Sequence, residues 1–488
     1  MSRLNEDILF LIFGELQNDS RSLFSCLMIN KLWCETAIPI LWRNPWCYSG
    51  IDYNNKDYLF KIIAYYLSDD VKESLKSQGI QLPLISHQSL LFDYLSFCKS
   101  INVNVINSIA FIGSFIACDQ FLLQQEFYSL FMRKCSELKY LDMKSIKHQI
   151  FHFPEAKLRF ETLCELKCDT SVDSSYFYGL AYISQYIQRI TIDNCIDKEA
   201  NLGIVKLIEA QKNLKYFELK DYFYGDSFII DPYKEIFLAL EKKADIINHL
   251  KLYITHDGCT LQKVLPKFHK LKTLIINDFS YFNEQQLKMS IYRDLEIFKT
   301  NHYNLKAITT IINNSGARLK KILINICDDS DNENFNEDSL ILIRRIHENC
   351  PLIEGLCIVF SSSKNHFVEL EKLLKVCRNL KSLLLDIVDL DYEIEGKFLE
   401  NGEELLKTLI RSAPTNLREI GFFYDISFSL KVLEEFLQKW KGHAISIFTN
   451  DLIYENEDYL KVIDKYKNNG VIRDFKYVSL MHILNRNL

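Results

Sequence analysis

Apolar residues in the first 45 positions recur at helical spacing. Ile8, Leu9, Ile12, Phe13 and Leu16 stand three and four apart, which predicts an amphipathic helix with Asn5 as N-cap and two acids, Glu6 and Asp7, in its first turn. The turn Gln17-Asn18-Asp19-Ser20 stops that helix and caps a second, whose Leu23, Phe24, Leu27 and Met28 mark a face. A third short helix, Lys31 to Ile38, carries Trp33 and is predicted to end before Pro39, because the residue before a proline is pushed out of helical geometry. Three short helices in about forty residues bury too little apolar surface to stand alone, so the segment needs a neighbour to cover its excess.

Further along, the pattern Leu-x-x-Leu-x-Leu, with Ile, Phe and other apolar substitutes, starts at Leu138, Leu163, Ile187, Leu214, Ile247, Leu271, Leu295, Leu319, Ile353, Leu380 and Leu417. Most starts are 24 to 27 residues apart, with longer steps of 33, 34 and 37. Helical patterns lie between them, such as Leu340, Ile341, Ile343 and Ile346, or Leu370, Leu373 and Leu374. Each unit therefore reads as a short strand and a returning helix, and stacked neighbours would bury the consensus apolar residues in one core. The alternative is a non-repeating α/β domain whose strands happen to follow helices.

The stretch between these regions, 46–134, reads as a helical spacer packing on the first repeats. Tyr58, Leu59, Ile62, Ile63 and Tyr66 form one face, Leu90, Leu91, Tyr94 and Leu95 another, and Gly79 and Pro83 mark a break. Residues 135–488 form the repeats with a cap: a helix at Leu460, Ile463 and Tyr466, then a last strand from Ile472 to Tyr477.

At 488 residues the chain is too long for one compact core. Its 58 basic and 64 acidic residues give a formal charge of -6, which suggests no nucleic-acid surface. The 14 cysteines are scattered through periodic segments and fit reduced thiols in the cytoplasm or nucleus better than a disulfide framework. The run Ile8 to Phe13 follows acids rather than a basic region and is too short for a secretory signal. Ile106 to Cys118 is interrupted by Asn107, Ser108 and Ser114 and falls short of a membrane span, so no membrane partner is expected.

Catalytic patterns are weak. The chain has no P-loop, dinucleotide glycine fingerprint, nucleophile elbow or zincin helix. The acidic run Asp328 to Glu333 fails as a calcium loop, because Asn334 and Leu340 stand where glycine and glutamate are required. His148 and His152 have helical i, i+4 spacing with Cys164 and Cys168 nearby, but the cysteines straddle a predicted strand in which Cys168 takes the inward slot and Cys164 does not. Neither a metal nor a cofactor is expected.

The opening residues resemble the F-box motif: Leu4, Glu6, Ile8, Leu9, Ile12, Phe13, Leu16, Trp33, Leu41, Trp42 and Arg43 match its pattern, while Asn5 stands where the family usually has proline. The later units resemble leucine-rich repeats of the cysteine-containing kind found behind F-boxes. Cys135, Cys350 and Cys377 sit three residues before a first Leu, and Cys195 and Cys327 hold the Asn or Cys slot eight after it. Elsewhere that second slot holds Ile146, Ser171, Tyr222, Phe279 or Val388, so an irregular α/β solenoid of parallel strands with helices outside is expected.

The resemblance implies a non-catalytic receptor subunit of a cullin-RING ubiquitin ligase. Leu4, Asn5, Glu6, Ile8, Leu9, Ile12, Leu23, Cys26, Ile29 and Trp33 would bind a Skp-family adaptor, itself held by the cullin scaffold. The target protein is unknown. A ligase-independent scaffold is the alternative, with the opening helices serving only as a cap. Slots two, four and six after each start should line the open sheet face. They are polar in early units, as at Tyr140, Asp142, Lys144, Lys167, Arg189, Glu218 and Lys220, and apolar in later ones. An exposed apolar stripe of Leu323, Cys357, Val359, Leu384 and Phe423 is therefore expected to bind the target.

Overall fold

The computed structural model describes residues 5–17, 19–46, 56–83, 89–194, 201–221, 231–254, 259–279, 282–288, 291–302, 304–324, 334–388, 397–424, 426–480 and 482–483. Leu4, Cys195, Cys327 and the acidic run 328–333 lie outside them. The chain forms two compact units, residues 1–223 and 224–488.

The first unit opens with three helices, α1 (Glu6–Glu15), α2 (Ser20–Leu27) and α3 (Lys31–Leu41). Asp19 caps α2 by accepting from Ser22 N at 3.1 Å, and Asn30 caps α3 by accepting from Trp33 N at 3.0 Å, each satisfying an otherwise orphaned donor. Asn5 stands at the N-cap of α1 with extended backbone but makes no side-chain cap bond. Contrary to the sequence reading, α3 runs through Pro39 to Leu41. Proline removes one helical donor. Burial of Ile38, Ile40 and Leu41 in this stretch offsets that loss, and Trp42 N still reaches Ile38 O at 2.9 Å.

Helices α4 (Asp57–Tyr65), α5 (Asp69–Ser77), α6 (Tyr94–Phe97), α7 (Val103–Gly113) and α8 (Ala117–Lys134) follow. A strand, β1 (Ser100–Asn102), interrupts the stretch read as wholly helical and pairs in parallel with β2 (Tyr140–Asp142). Its register assigns Cys98, Ile101 and Val103 to the three inward slots, and all three are buried. The repeat signal is present there with cysteine in the first position. Strands β3 (Glu165–Asp169), β4 (Arg189–Asn194) and β5 (Tyr216–Asp221) continue the ladder in sequence order, each parallel to the last.

The second unit repeats the plan through β6 (His249–Tyr253), β7 (Thr273–Asp278), β8 (Ile297–His302), β9 (Lys321–Ile324), β10 (Gly355–Ser361), β11 (Ser382–Val388), β12 (Glu419–Tyr424), β13 (Ile445–Thr449) and β14 (Ile472–Tyr477). Each again pairs in parallel with its sequence neighbour. From β2 to β12, every strand begins two residues after a start read from the sequence, and every start residue is buried. The physical cause is the inward packing of the consensus apolar side chains, which fixes phase as well as spacing.

The slot three residues before each start explains the irregular cysteines. Cys135, Cys350 and Cys377 are fully buried there, and Cys377 Sγ lies 3.8 Å from Cys350 O. In two of the units without cysteine, Ser184 and Gln211 take the slot and are also fully buried. Ser184 Oγ donates to Phe160 O at 2.7 Å; Gln211 donates to Ser184 O at 2.9 Å and accepts from Ile187 N at 2.9 Å. Each polar replacement is thus matched to the neighbouring turn, as burial of a polar group requires.

Candidate functional site

The opening module has its own small core. Leu9, Phe13, Leu23, Cys26, Ala37, Ile40 and Leu41 are buried together, with Leu16, Trp33 and Trp42 packed against them. Phe13 and Trp33 meet edge to face at 5.2 Å. This divides the predicted adaptor-binding set. Leu9, Leu23 and Cys26 are buried in the module, and Trp33 is half-buried. Asn5, Glu6, Ile8, Ile12 and Ile29 are exposed. The sequence reading missed Leu11, which is 71% exposed, and Met28, at 88%.

Helix α1 is apolar on most of its circumference, so periodicity alone did not separate its faces. Leu9, Phe13 and Leu16, spaced by four and three, point into the module; Ile8 and Ile12 form a second, outward pair four apart. The module is also joined to the first strand of the sheet. Trp46 Nε1 donates to Ser100 O at 3.1 Å, Ser100 Oγ to Arg43 O at 3.1 Å, and Lys99 N to Arg43 O at 2.9 Å.

The sheet face of the first unit is lined by paired charges. Lys144 pairs with Asp193, Lys167 with Asp142 at 3.8 Å, Arg189 with Glu165 at 3.6 Å and Lys220 with Glu218 at 3.0 Å. The Arg189 guanidinium also lies 3.8 Å above the Tyr216 ring. Burial, together with nearby Lys167, holds the Lys144 ammonium below the ordinary lysine range, and burial raises the Glu165 carboxyl. Such a face offers alternating charge to a partner.

The second unit differs. Leu323, Cys357, Val359, Leu384 and Phe423 occupy the expected slots but are all buried, so the expected exposed stripe is corrected. Leu323, Cys357, Leu384 and Phe423 share one cluster with Leu480 and Ile483, residues beyond β14 that cover the row. Val359 lies in register with Asp386, and Asp386 with Phe423, on the same buried face. Lys299, beside Leu323 on this face, is 2% exposed, and burial pushes its ammonium down to about 8.

One Ser-His arrangement invites a catalytic reading. His366 Nε2 lies 2.9 Å from Ser339 Oγ and Nδ1 lies 2.7 Å from Ser363 Oγ. Ser339 is fully buried, however, and gives its proton to Phe335 O at 2.6 Å. The set ties the helix Phe335–Asn349 to the start of the helix Lys364–Val376. Among the described residues, no group of three or more His, Cys, Asp and Glu is placed to hold a metal ion, and no helix is long and apolar enough to cross a membrane. His148, with Nε2 2.9 Å from Phe121 O, is instead stacked on the Phe121 ring at 4.0 Å.

The consecutive parallel strands, the constant two-residue offset and the buried consensus positions define a stack of strand-and-helix repeats. No family model matches the chain, and no curated protein matches it. Among solved structures, the chain is similar to the leucine-rich repeat-containing protein LegL7 from Legionella pneumophila, at 12% identity over 64% of this chain and 94% of that protein, with a TM-score of 0.33. It is also similar to an internalin, InlF, from Listeria monocytogenes, at 13% identity over 86% of this chain and 98% of the other, with a TM-score of 0.36. A protein from Bacteroides fragilis matches at 15% identity over 50% and 67% of the two chains, with a TM-score of 0.33. The repeat assignment rests on the register, not on these likenesses.

Proposed function

We propose that the chain is a non-catalytic substrate receptor: its first 45 residues act as an F-box that docks a Skp-family adaptor of a cullin-RING ubiquitin ligase, and its repeats hold a target protein. The observation that carries this reading is a three-helix module with its own core that still exposes Ile8, Leu11, Ile12, Met28 and Ile29. Large apolar side chains concentrated on so small a module mark a protein contact more often than a solvated surface. The test is a pull-down with purified Skp-family adaptor. Ile8→Asp with Ile12→Asp should abolish capture while the circular dichroism spectrum stays that of the unaltered chain. Undiminished capture would overturn the reading.

The bonds from Arg43 and Trp46 to the first strand favour a second reading, in which the module caps the repeats of a ligase-independent interaction scaffold. Lack of adaptor binding by the unaltered, folded chain would select it.

A further inference from the structure

The apolar row on the second unit's sheet face is filled from within the chain. Cys357 lies in register with Leu323 on one side and Leu384 on the other, and Leu384 lies opposite Gly421. The strip is therefore continuous from β9 to β12. Gly421 shapes it, because a Cβ there would sit 2.6 Å from Leu384 Cδ2 and 2.6 Å from Phe423 Cε2. Only a bare backbone lets the Phe423 ring pack against Leu384 across that strand.

The described residues of the covering segment are 478–480, 482 and 483. Leu480, His482 and Ile483 are helical, which places Leu480 and Ile483 three residues apart on one turn. Both side chains are buried in the strip, with Val478 and Phe448 at its margin. Of the backbone bonds described for this segment, Val478 N to Thr449 O at 2.9 Å joins it to the sheet, whereas His482 N to Ser479 O at 3.1 Å is internal. Lifting the segment breaks no strand pairing among β9 to β12, whose ladders are made with one another. Its release is therefore a local event that the rest of the unit can survive.

We propose that residues 478–483 are a displaceable internal occupant of this strip, a strap that yields to a partner protein presenting two apolar residues three apart on a helical turn. The burial that holds the strap is non-directional, so a second pair of apolar side chains with the same spacing can replace Leu480 and Ile483. With the strap seated, the strip is closed to partners and shielded from self-association. This deepens the reading of the repeats as a protein-binding surface, and rests on it.

Hydrogen exchange on the unaltered full chain gives the first test. Amides of 479–483 should exchange at least about tenfold faster than those of β10 and β11, through local opening; equal rates would overturn the proposal. The second test uses a labelled synthetic peptide spanning Lys476 to Arg486. It should bind full chain carrying Leu480→Asp and Ile483→Asp, bind the unaltered chain weakly, and lose binding when it carries the same two changes itself. A folded variant that ignores the peptide overturns the proposal, as does a variant that no longer folds, since the segment is then integral core. Adaptor capture reads the α1 surface and should be unchanged by these substitutions. If the peptide binds but no protein partner competes with it, the segment is displaceable but its yielding to a partner is overturned, together with the repeat-surface reading on which that rests.

Discussion

His366 shows how one residue's chemistry follows from its burial. Ser339 donates to a backbone carbonyl and so accepts from Nε2–H, leaving Nδ1 to accept from Ser363. This network satisfies the neutral imidazole, and it is burial rather than the hydrogen bonds that disfavours the charged form. Burial first, then repulsion from Arg344, lowers the imidazole to about 4 from an ordinary value of about 6.5. Because the folded value is depressed, the stability contributed is fully present above about pH 6.5 and is lost as the pH falls from there toward about 4. His148, buried in the first unit, shifts in the same direction by burial. Thermal melts should therefore show a midpoint that falls between pH 7 and pH 5, and His366→Asn should make that fall shallower. An unchanged slope would show that the proton is taken up elsewhere.

At the scale of the element, α1 makes the sharpest distinction. Phe13 is fully enclosed by the three-helix core, so Phe13→Ala should destabilise by about 3 to 5 kcal/mol. Ile12, one position earlier, is 44% exposed, and Ile12→Asp should change stability by no more than about 0.5 kcal/mol. Urea denaturation of the two variants checks the pair; similar losses would mean that the helix is rotated. The amphipathic character of α1 was legible from its spacing. Its orientation was not, because Ile8, Leu9, Phe10, Leu11, Ile12 and Phe13 form an unbroken apolar run and only packing against α3 selects the inward set. The end of α3 was misread for a related reason: the local penalty at Pro39 is outweighed by burial on both sides of it.

At the scale of the whole molecule, the cysteines report on both units. Burial pushes the Cys350 and Cys377 thiols up to about 12 and raises those of Cys168 and Cys357 as well, so almost no thiolate exists at neutral pH. Cys118 is exposed. A thiol reagent added to native protein should label Cys118 within the first phase and reach Cys168, Cys350 and Cys377 only on unfolding. Cys357, under residues 480 and 483, should become reactive in the folded Leu480→Asp, Ile483→Asp variant. Mass spectrometry of the labelled peptides reads both, and early native labelling of Cys350 or Cys377 would contradict the packing described.

By itself, the sequence determined the repeats from β2 to β12 and the last strand, Ile472 to Tyr477, because a side chain that must face inward at a fixed slot leaves its period in the chain. β1 and β13 escaped that reading: β1 has Cys98 in the first slot, and at β13 the residue that the register sets opposite Leu417 is Ala444, small and exposed, so neither shows the leading leucine. Only tertiary structure decided which later slots are wet. The rule that alternate strand residues face opposite sides correctly placed Leu323, Cys357, Val359, Leu384 and Phe423 on the open side of the sheet. Leu480 and Ile483, about a hundred residues beyond Leu384, pack with four of them, Leu323, Cys357, Leu384 and Phe423. No local pattern encodes a contact between segments so far apart, because burial is settled by whichever apolar surfaces the folded backbone brings together.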